Sequence, residues 1–334
     1  MMVRVSINGF GRIGRLVLRA HLERPSDRFE VIAINDLMPI DQAAHLLKYD
    51  SVHGSLRDVR HTETHLIVGN KKIQYLQERD PKNLNWTSLG VSIVAECTGI
   101  FNSKEKASVH IDQGADYVLI SAPAPDADQM IVYGINHTSI DKSHQVFSNA
   151  SCTTNAIAPI ISVLHNALGI ESAFMTTIHA FTADQKLVDA PHKDLRRARA
   201  ASESIIPTST GAARSIGVIF PDLKGRIDGV SVRIPTADVS FIDLSLNVRT
   251  ECSAESVNTL LEQASLSDMK SIIRVCQEPL VSKDFVHAPE SVVVDGLMTQ
   301  TVTPHLLKVF AWYDNEWGFS NRMCDVLSYL QSRL

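Results

Sequence analysis

The chain has 334 residues, enough for two domains at roughly 150 residues each. Its net charge of −5 argues against the basic face that nucleic-acid binding requires, although a local anion site remains compatible with it. No stretch approaches the roughly 18 apolar residues of a membrane span, and we expect no signal peptide and no membrane partner. The five cysteines form no CxxC pair and are odd in number, which favours reduced thiols and a cytoplasmic location.

The chain opens with a glycine-rich turn between a predicted strand and a predicted helix, in "VRVSINGFGRIGR". Gly9 permits a tight turn, Gly11 lets the backbone approach a pyrophosphate, and Gly14 allows close helix–strand packing. The helix N-terminus offers free N–H groups to the phosphates. A second strand, "FEVIAIND", ends at Asp36, whose carboxylate can accept both ribose hydroxyls and would repel a 2′-phosphate. The pattern therefore predicts an NAD site.

Four further runs are predicted as buried strands: "VSIVAECTG", "YVLISAP", "MIVYGIN" and "QVFSNA". Because they alternate with helical or turn segments, they predict a doubly wound parallel sheet of the Rossmann type over residues 1–151. Ser121 follows one of these strands at the edge where ligands gather in such sheets. Taken alone, a serine in this place is more often structural.

Cys152 lies in "SNASCTTNAIAP", directly ahead of an apolar helical pattern at positions 157, 160, 161 and 164. If Ser151 or Cys152 caps this helix, the positive end of its dipole lowers the pKa of the thiol. Pro159 predicts a kink or a late helix start. An isolated cysteine is usually an inert core residue. The many hydrogen-bonding side chains around it favour a nucleophile instead.

The next run, "ESAFMTTIHAFTADQ", predicts a strand that ends at His179. Such a strand could bring the imidazole to the thiol as general base and acid. Taken alone, His179 is better interpreted as a structural histidine whose ring nitrogens are hydrogen-bonded than as a catalytic residue. No metal site is predicted.

Positive charge is concentrated between residues 182 and 214, on a chain that is acidic overall. One interpretation is a solvated helix face paired with Asp194 and Glu203. The other is an anion pocket that combines arginine forks with hydroxyl and backbone donors from "TSTG". The basic residues are Lys186, Lys193, Arg196, Arg197, Arg199 and Arg214. The remaining chain is largely β and ends in an amphipathic helix, which indicates an α+β domain with a mainly antiparallel sheet.

Six ordered motifs, "INGFGRIGR", "SNASCTTN", "HKDLRRARAA", "IIPTSTGAA", "VRIPT" and "WYDNEWGFSN", resemble the phosphorylating glyceraldehyde-3-phosphate dehydrogenases of type I, bacterial-like. The resemblance runs from Val3 to about Leu330. It implies a Rossmann domain over 1–151, a catalytic domain over 152–315, and a terminal helix over 316–334 that packs back onto the first. It also implies a cytoplasmic homotetramer.

The resemblance assigns Cys152 as nucleophile and His179 as its base and acid. It implies a thiohemiacetal and then a thioester on Cys152, NAD reduction, and attack by inorganic phosphate to give 1,3-bisphosphoglycerate from glyceraldehyde 3-phosphate in glycolysis. The implied NAD contacts are Gly9, Gly11, Arg12, Ile13, Asp36, Arg79, Ser121 and Asn315. The implied sites for the substrate phosphate and the attacking phosphate use Ser151, Thr153, Thr182, Asp184, Arg197, Thr210, Gly211 and Arg233.

Two features bear on the finer assignment. Ala190-Pro191 replaces the Leu-Pro of many NAD-specific members, which opens space near the adenosine ribose without supplying a cation. The nearest rival is erythrose-4-phosphate dehydrogenase, which characteristically lacks the threonine-glycine pair present here as Thr210 and Gly211. A Cys/His acyl hydrolase and a non-enzymatic NAD-binding protein are less favoured, because the glycine fingerprint and the reactive-site motifs are both complete.

Overall fold

The structure, a computed structural model, describes residues 2–141 and 143–333. Its internal contacts divide the chain into unit 1, which runs to Ala150 and resumes at Ser320, and unit 2, which is Ser151–Phe319. The predicted domain limits 1–151, 152–315 and 316–334 stay predictions, since contacts do not show which part folds alone. None of the described helices is long and apolar enough to cross a bilayer.

Unit 1 is built on a nine-stranded sheet in the order β10-β11-β9-β8-β1-β2-β7-β6-β5. The run from β10 to β7 is parallel, and β6 and β5 form an antiparallel edge. Central strands that are buried along their whole length, such as "YVLI" of β9, are apolar on both faces, as parallel sheets require. The predicted doubly wound parallel sheet is confirmed.

The bounds of the unit 1 elements are as follows. Its strands are β1 Val3–Asn8, β2 Phe29–Asn35, β3 Tyr49–Asp50, β4 Gly54–Ser55, β5 Val59–His61, β6 His65–Val68, β7 Lys71–Leu76, β8 Ile93–Glu96, β9 Tyr117–Ile120, β10 Gln129–Met130 and β11 Val146–Ser148. Its helices are α1 Arg12–Glu23, α2 Ile40–Lys48, α3 Trp86–Leu89, α4 Lys104–Ala107 and α5 Val109–Asp112.

One predicted strand is mostly a turn. Of "MIVYGIN" only the first residue belongs to a strand, because β10 ends at Met130. The Asn136 side chain accepts from the Val132 N–H at 2.8 Å and donates to the Met130 carbonyl at 2.8 Å. An asparagine that satisfies nearby backbone groups in this way offers the chain an alternative to a sheet ladder. The longer strand predicted here is therefore wrong.

Unit 2 carries an eight-stranded mixed sheet in the order β13-β14-β12-β15-β19-β17-β16, with β18 paired to β19. Two of its pairings are parallel and the rest antiparallel, which confirms the mainly antiparallel sheet of the prediction. The strands are β12 Ile170–Ala180, β13 Ile206–Ser209, β14 Ile227–Ile234, β15 Ser240–Val248, β16 Ile273–Cys276, β17 Val292–Asp295, β18 Gln300–Thr303 and β19 Leu306–Tyr313. The helices are α6 Cys152–Leu168, α7 Ala212–Ile219 and α8 Ala254–Leu266, and the last helix, α9 Trp317–Gln331, begins in unit 2 and belongs to unit 1 from Ser320 onwards.

Helix α6 begins at Cys152 and continues through Pro159 to Leu168, so the late start predicted from the proline is wrong. An interior proline costs about 3 kcal/mol. Three isoleucines and a leucine of α6 are fully buried, at positions 157, 160, 161 and 164. Each contributes about 1.5–3 kcal/mol of transfer free energy, which together outweighs the proline.

The part of α9 that belongs to unit 1 docks by polar and apolar contacts. Arg24 Nη1 donates to Asn321 Oδ1 at 2.7 Å, and the Cys324 thiol lies 3.5 Å from the Val17 carbonyl. The predicted amphipathic stripe is fully buried at Met323, Val326, Leu327 and Leu330.

Candidate active site

A cavity of about 260 Å³ opens in unit 1 around the carboxyl ends of β1, β2 and β8. It brings together Gly9, Gly11, Asp36 and Arg79 of the residues predicted to bind a cofactor. Residues that were not predicted for it also line it: Asn8, Asn35, Leu37, Glu78, Pro81, Cys97, Thr98, Ile100 and Phe101. This is the edge at which parallel sheets bind ligands.

The three glycines of the turn have different reasons to be glycine. Gly9 has φ of +93°, and a Cβ there would lie 2.5 Å from the Thr98 nitrogen. At Gly14 a Cβ would meet the Gly9 carbonyl oxygen at 2.0 Å. At Gly11 a Cβ would have no atom of the described protein within 4 Å. Gly9 and Gly14 are thus required by the fold, whereas the open space at Gly11 fits a phosphate group approaching the backbone.

Asp36 is held in place by two backbone donors. Its Oδ2 accepts from the Phe10 N–H at 2.5 Å, and its Oδ1 accepts from the Met38 N–H at 2.8 Å. These bonds tie the carboxylate to the glycine turn, and each oxygen retains a lone pair for a ribose hydroxyl. The residues present therefore fit a dinucleotide with a free ribose diol.

Four predicted cofactor residues, Arg12, Ile13, Ser121 and Asn315, are not among the residues that line this cavity. Arg12 Nη1 donates to Asp50 Oδ2 at 2.6 Å, and Arg12 and Ile13 open helix α1. Burial acts to raise the pKa of Asp50, but backbone donors and the Arg12 charge outweigh it and lower the pKa to about 2. Because the Arg12 side chain is hydrogen-bonded to Asp50, the backbone N–H groups at the start of α1 are the donors that a phosphate group would contact.

A buried polar network behind the cavity was missed from sequence. Glu96 Oε2 accepts from Asn8 Nδ2 at 2.6 Å, and Glu96 Oε1 accepts from the Thr98 N–H at 2.8 Å. Asn35 Nδ2 donates to Asn8 Oδ1 at 2.8 Å, which joins β2 to the same network. The available signal was that Asn8, Asn35 and Glu96 each end a buried strand.

In unit 2 the thiol and the imidazole come together as predicted. Cys152 Sγ lies 3.5 Å from His179 Nε2, although the two residues belong to α6 and β12. Ser151 is the N-cap of α6, and its hydroxyl accepts from the Thr154 N–H at 3.0 Å. His179 is buried, whereas Cys152 keeps partial exposure to solvent.

Burial holds both partners in their neutral forms. It raises the pKa of the Cys152 thiol, although the Arg233 charge and donors from Thr153 act to lower it. Burial and then the Arg233 charge lower the pKa of His179 to about 3. The thiol pKa therefore lies above its ordinary value, and the predicted net lowering at the helix N-terminus is wrong. A neutral His179 is the form that can accept the thiol proton.

Nδ1 of His179 faces two groups of opposite hydrogen-bonding character. The Ala180 carbonyl oxygen lies 2.6 Å away and Arg233 Nη1 lies 2.7 Å away. The β12–β14 register, which pairs His179 with Arg233, creates this contact between residues that are distant in sequence. When Nδ1–H donates to Ala180, Nε2 presents its lone pair to the sulfur.

The predicted substrate residues form a cationic cluster beside His179. Arg197 Nη1 donates to Asp184 Oδ2 at 2.9 Å, the Thr182 hydroxyl donates to Asp184, and Arg233 Nη1 lies 3.5 Å from Thr182 Oγ1. Desolvation and then the Arg197 charge lower the pKa of Arg233. Arg233 Nε is buried without a hydrogen-bond partner in the described chain. Two guanidinium groups that repel each other, one with a spare donor, suit an oxyanion.

The other predicted phosphate residues divide between two places. Ser151 and Thr153 lie in and beside the first turn of α6. Thr210 and Gly211 precede α7, where the Thr210 hydroxyl accepts from the Ala212 N–H at 3.2 Å. The described hydrogen bonds do not join Thr210 or Gly211 to Cys152. The residue before Thr210 is joined to the cationic cluster: the Ser209 carbonyl oxygen accepts a hydrogen bond from Arg197 Nη2 at 3.3 Å.

Asn315 is held by a residue that was not predicted. Ser240 Oγ donates to Asn315 Oδ1 at 2.7 Å and accepts from the Ala180 N–H at 3.1 Å. Ser240 pairs with Tyr313 in the β15–β19 register, and the Tyr313 ring lies edge-on to His179 with centroids 5.9 Å apart. A hydroxyl at the first residue of β15, ahead of an alternating strand pattern, was the only sequence signal for Ser240.

Comparison with known proteins covers both units. Residues 151–315 match the family model described as the glyceraldehyde 3-phosphate dehydrogenase C-terminal domain, and residues 3–104 match the NAD binding domain of that family. The chain is 49% identical over 337 residues to the glyceraldehyde-3-phosphate dehydrogenase of Zymomonas mobilis, covering 100% of both chains. The protein of that name from Geobacillus stearothermophilus is 48% identical, covering 100% of this chain and 99% of its own. The one from Cereibacter sphaeroides is 49% identical over 97% of both chains.

Proposed function

The chain belongs to the glyceraldehyde 3-phosphate dehydrogenase family, and on this premise we propose that it oxidises glyceraldehyde 3-phosphate with NAD and inorganic phosphate. The product would be the acyl phosphate 1,3-bisphosphoglycerate, with Cys152 as the covalent nucleophile. The observation that carries the proposal is the 3.5 Å contact between Cys152 Sγ and His179 Nε2 beside the Arg197–Arg233 cluster.

In this proposal His179 is the general base and general acid. Its Nε2 takes the thiol proton as Sγ attacks the aldehyde carbon, and the resulting imidazolium donates to the oxyanion of the thiohemiacetal. The same nitrogen takes the hydroxyl proton as the hydride leaves, so a thioester remains on Cys152. Phosphate oxygen then attacks the thioester carbon and the thiolate departs. Covalent attachment keeps the oxidation energy that hydrolysis would release.

The phosphate groups are assigned to the donors near this pair. We place the substrate phosphate at Thr182, Asp184 and Arg233, with Arg197 completing the pocket. The two guanidinium groups supply the charge, and Asp184 orients Arg197. For the attacking phosphate we propose Ser151, Thr153, Thr210 and Gly211.

For the cofactor, the unit 1 cavity supplies Gly9, Gly11, Asp36 and Arg79. The open space at Gly11 and the anchored Asp36 carboxylate support NAD. When bound, NAD supplies the acceptor for the hydride. We propose that the α1 backbone at Arg12 and Ile13 meets the pyrophosphate, that Ser121 contacts the cofactor, and that Asn315 holds its carboxamide.

The assembly we propose is a cytoplasmic homotetramer. The outer face of the unit 2 sheet supports a subunit interface, because Phe174 is 49% exposed and Val230 is 40% exposed on neighbouring strands. Apolar patches of this kind on a folded sheet commonly mark interfaces. The cysteines of the described chain are free, which suits a reducing compartment. Size-exclusion chromatography with light scattering would give the mass directly.

The decisive experiment is a spectrophotometric NADH assay with two aldehydes, glyceraldehyde 3-phosphate and erythrose 4-phosphate. Each is tested with and without inorganic phosphate, and Cys152→Ala serves as the inactive control. We expect steady turnover only with glyceraldehyde 3-phosphate plus phosphate. Faster, phosphate-independent turnover of erythrose 4-phosphate would replace the proposal with the sister activity. No NADH from either aldehyde would refute both.

A further inference from the structure

The carboxylate of Glu96 lies behind the unit 1 cavity, where hydrogen bonds from three directions meet. Its Oε2 accepts from Asn8 Nδ2 at 2.6 Å and lies 3.1 Å from His110 Nε2, and its Oε1 accepts from the Thr98 N–H at 2.8 Å. Asn8 and Glu96 are 2% exposed, and His110 is fully buried. A carboxylate buried to this extent is stable only when donors satisfy its oxygens, so the groups around it determine its orientation.

The proton of the His110 ring can be assigned from the partner of its other nitrogen. Trp86 Nε1 lies 3.2 Å from His110 Nδ1, and an indole N–H can only donate. His110 Nδ1 is therefore an acceptor, which places the ring proton on Nε2, where it is donated to Glu96. Asn8 Nδ2 lies 3.3 Å from the same Nε2, but both are donors to one carboxylate oxygen and do not bond each other.

A second chain of hydrogen bonds reaches Glu96 from the other side of the cavity. The Glu78 N–H donates to Asn35 Oδ1 at 2.8 Å, so a backbone donor orients the Asn35 amide. Asn35 Nδ2 then donates to Asn8 Oδ1 at 2.8 Å, which leaves Asn8 Nδ2 as the donor to Glu96. Glu78 follows β7 and Thr98 follows β8, the strands that flank β1 and β2, and both residues line the cavity. The network therefore joins the two sides of the cavity.

We propose that Glu96 and His110 are positioning residues for NAD, because they hold the two backbone segments at the spacing that the cofactor requires. The proposal rests on the proposed binding of NAD in this cavity, and it adds two residues that do not line it. The spacing is sensitive because Thr98 packs directly on the glycine turn. A Cβ at Gly9 would lie 2.5 Å from the Thr98 nitrogen, so a displaced Thr98 displaces the turn as well.

The His110 ring also packs against the cavity, and a test must separate this contact from the hydrogen bond. Phe101, which lines the cavity, lies edge-on to the ring with centroids 6.0 Å apart. Glutamine and methionine have similar volumes and no ring, but only glutamine offers an N–H donor. The pair His110→Gln and His110→Met therefore isolates the donor to Glu96.

The same pair of substitutions at His21 is the matched control. His21 is 2% exposed in the same unit, and both of its ring nitrogens are buried without a hydrogen-bond partner in the described chain. Because no donor is lost there, His21→Gln and His21→Met should bind NAD as tightly as the unmodified protein.

The first measurement is NAD affinity by isothermal titration calorimetry. We expect Kd for NAD to be about five- to tenfold higher in His110→Met than in His110→Gln, because only methionine leaves Glu96 without this donor. KM for NAD should follow Kd, whereas kcat at saturating NAD should differ by less than about twofold. Equal Kd values in the two His110 variants overturn the proposal, and so does an equal difference in the His21 pair.

A second measurement tests the proton assignment without NAD. Nitrogen NMR of the protein grown with isotope-labelled histidine separates protonated from unprotonated ring nitrogens, and the His110 signals are those missing from His110→Gln. We expect an unprotonated Nδ1 and a protonated Nε2, and any other state overturns the proposal. If His110→Met does not fold, Glu96→Gln replaces it, because its amide turns a donor towards existing donors. An unchanged Kd in Glu96→Gln also overturns the proposal.

The proposed function fails by a different result. If the unmodified protein binds no NAD in the calorimeter and forms no NADH, the cofactor assignment is wrong, whatever the variants show. If the unmodified protein binds NAD and the two His110 variants bind it equally well, only the positioning role is wrong.

Discussion

The two units build their sites from different parts of the polypeptide. In unit 1 the cavity is shaped by backbone: glycines open the space, and side chains such as Asp36 and Glu96 anchor the main chain. In unit 2 the chemistry belongs to side chains that meet across strands, such as His179 and Arg233. The unit 1 site should therefore be sensitive to added side-chain volume, and the unit 2 site to the loss of side-chain atoms.

The largest effect is expected at the nucleophile. Cys152→Ala should lower turnover at least about a thousandfold, because loss of a covalent nucleophile removes the whole two-step route. Thermal stability and NAD binding should persist, since the side chain is small and partly exposed. Cys252→Ala, at a cysteine outside the site, is the matched control and should keep full activity. Retained turnover in Cys152→Ala would contradict the side-chain account of unit 2.

The glycine turn offers the reverse test in unit 1. Gly14→Ala places a Cβ 2.0 Å from the Gly9 carbonyl oxygen, so we expect a loss of about 3 kcal/mol or more in the free energy of unfolding. Gly11→Ala meets no described protein atom within 4 Å and should be neutral in stability. It should nevertheless weaken NAD binding about tenfold, as measured by fluorescence quenching. Equal denaturation midpoints for the two variants would show that the backbone argument is wrong.

Deleting a donor in unit 2 should affect substrate more than fold. Arg233→Gln removes a charged donor worth about 1.5–3 kcal/mol, so KM for the phosphorylated aldehyde should rise roughly ten- to a hundredfold. Arg199→Gln removes an exposed guanidinium that pairs with Asp189, and it serves as the control. An unchanged KM in Arg233→Gln, or an equal change in both variants, would contradict the assignment of the cationic cluster.

A buried histidine in unit 1 should limit stability in acid. Both ring nitrogens of His21 are buried without partners in the described chain, and burial lowers its pKa from 6.5 to about 4. The unfolded chain therefore binds this proton first, so stability is complete above about pH 6.5 and falls as pH drops towards 4. His21→Gln should flatten this part of the urea-denaturation profile. An unaltered slope would mean that other groups cause it.

The smallest effect concerns coenzyme choice. Asp36→Gly removes the carboxylate that would repel a 2′-phosphate, so the preference for NAD over NADP should fall by about tenfold. Part of the change should come from weaker NAD binding, because the Phe10 and Met38 N–H groups lose their acceptor. The measurement is kcat/KM with each coenzyme. Comparable efficiency with both in the unmodified protein would refute the role of Asp36.

Local patterns allowed much of this to be predicted from the sequence. The glycine turn, the helix that begins near Cys152 and the strand that ends near His179 are visible because caps, periodicity and turns depend on neighbouring residues. The family resemblance supplied Arg233, Thr182 and their neighbours. It did not supply their hydrogen bonds. The strand predicted over "MIVYGIN" was too long, because the Asn136 side chain hydrogen-bonds the Val132 N–H and the Met130 carbonyl in place of a neighbouring strand.

By itself, then, the sequence determined the two sheets, the nucleotide turn, and the identity of the thiol and the imidazole. The tertiary structure decided which side chains meet: Tyr313 with Thr153 across 160 residues, and Arg233 with His179 across 54. It also decided that Arg12 pairs with Asp50 and that burial keeps both Cys152 and His179 neutral. The physical reason is that strand register and desolvation depend on the whole packed unit, whereas a local pattern records only which residues are adjacent in the chain.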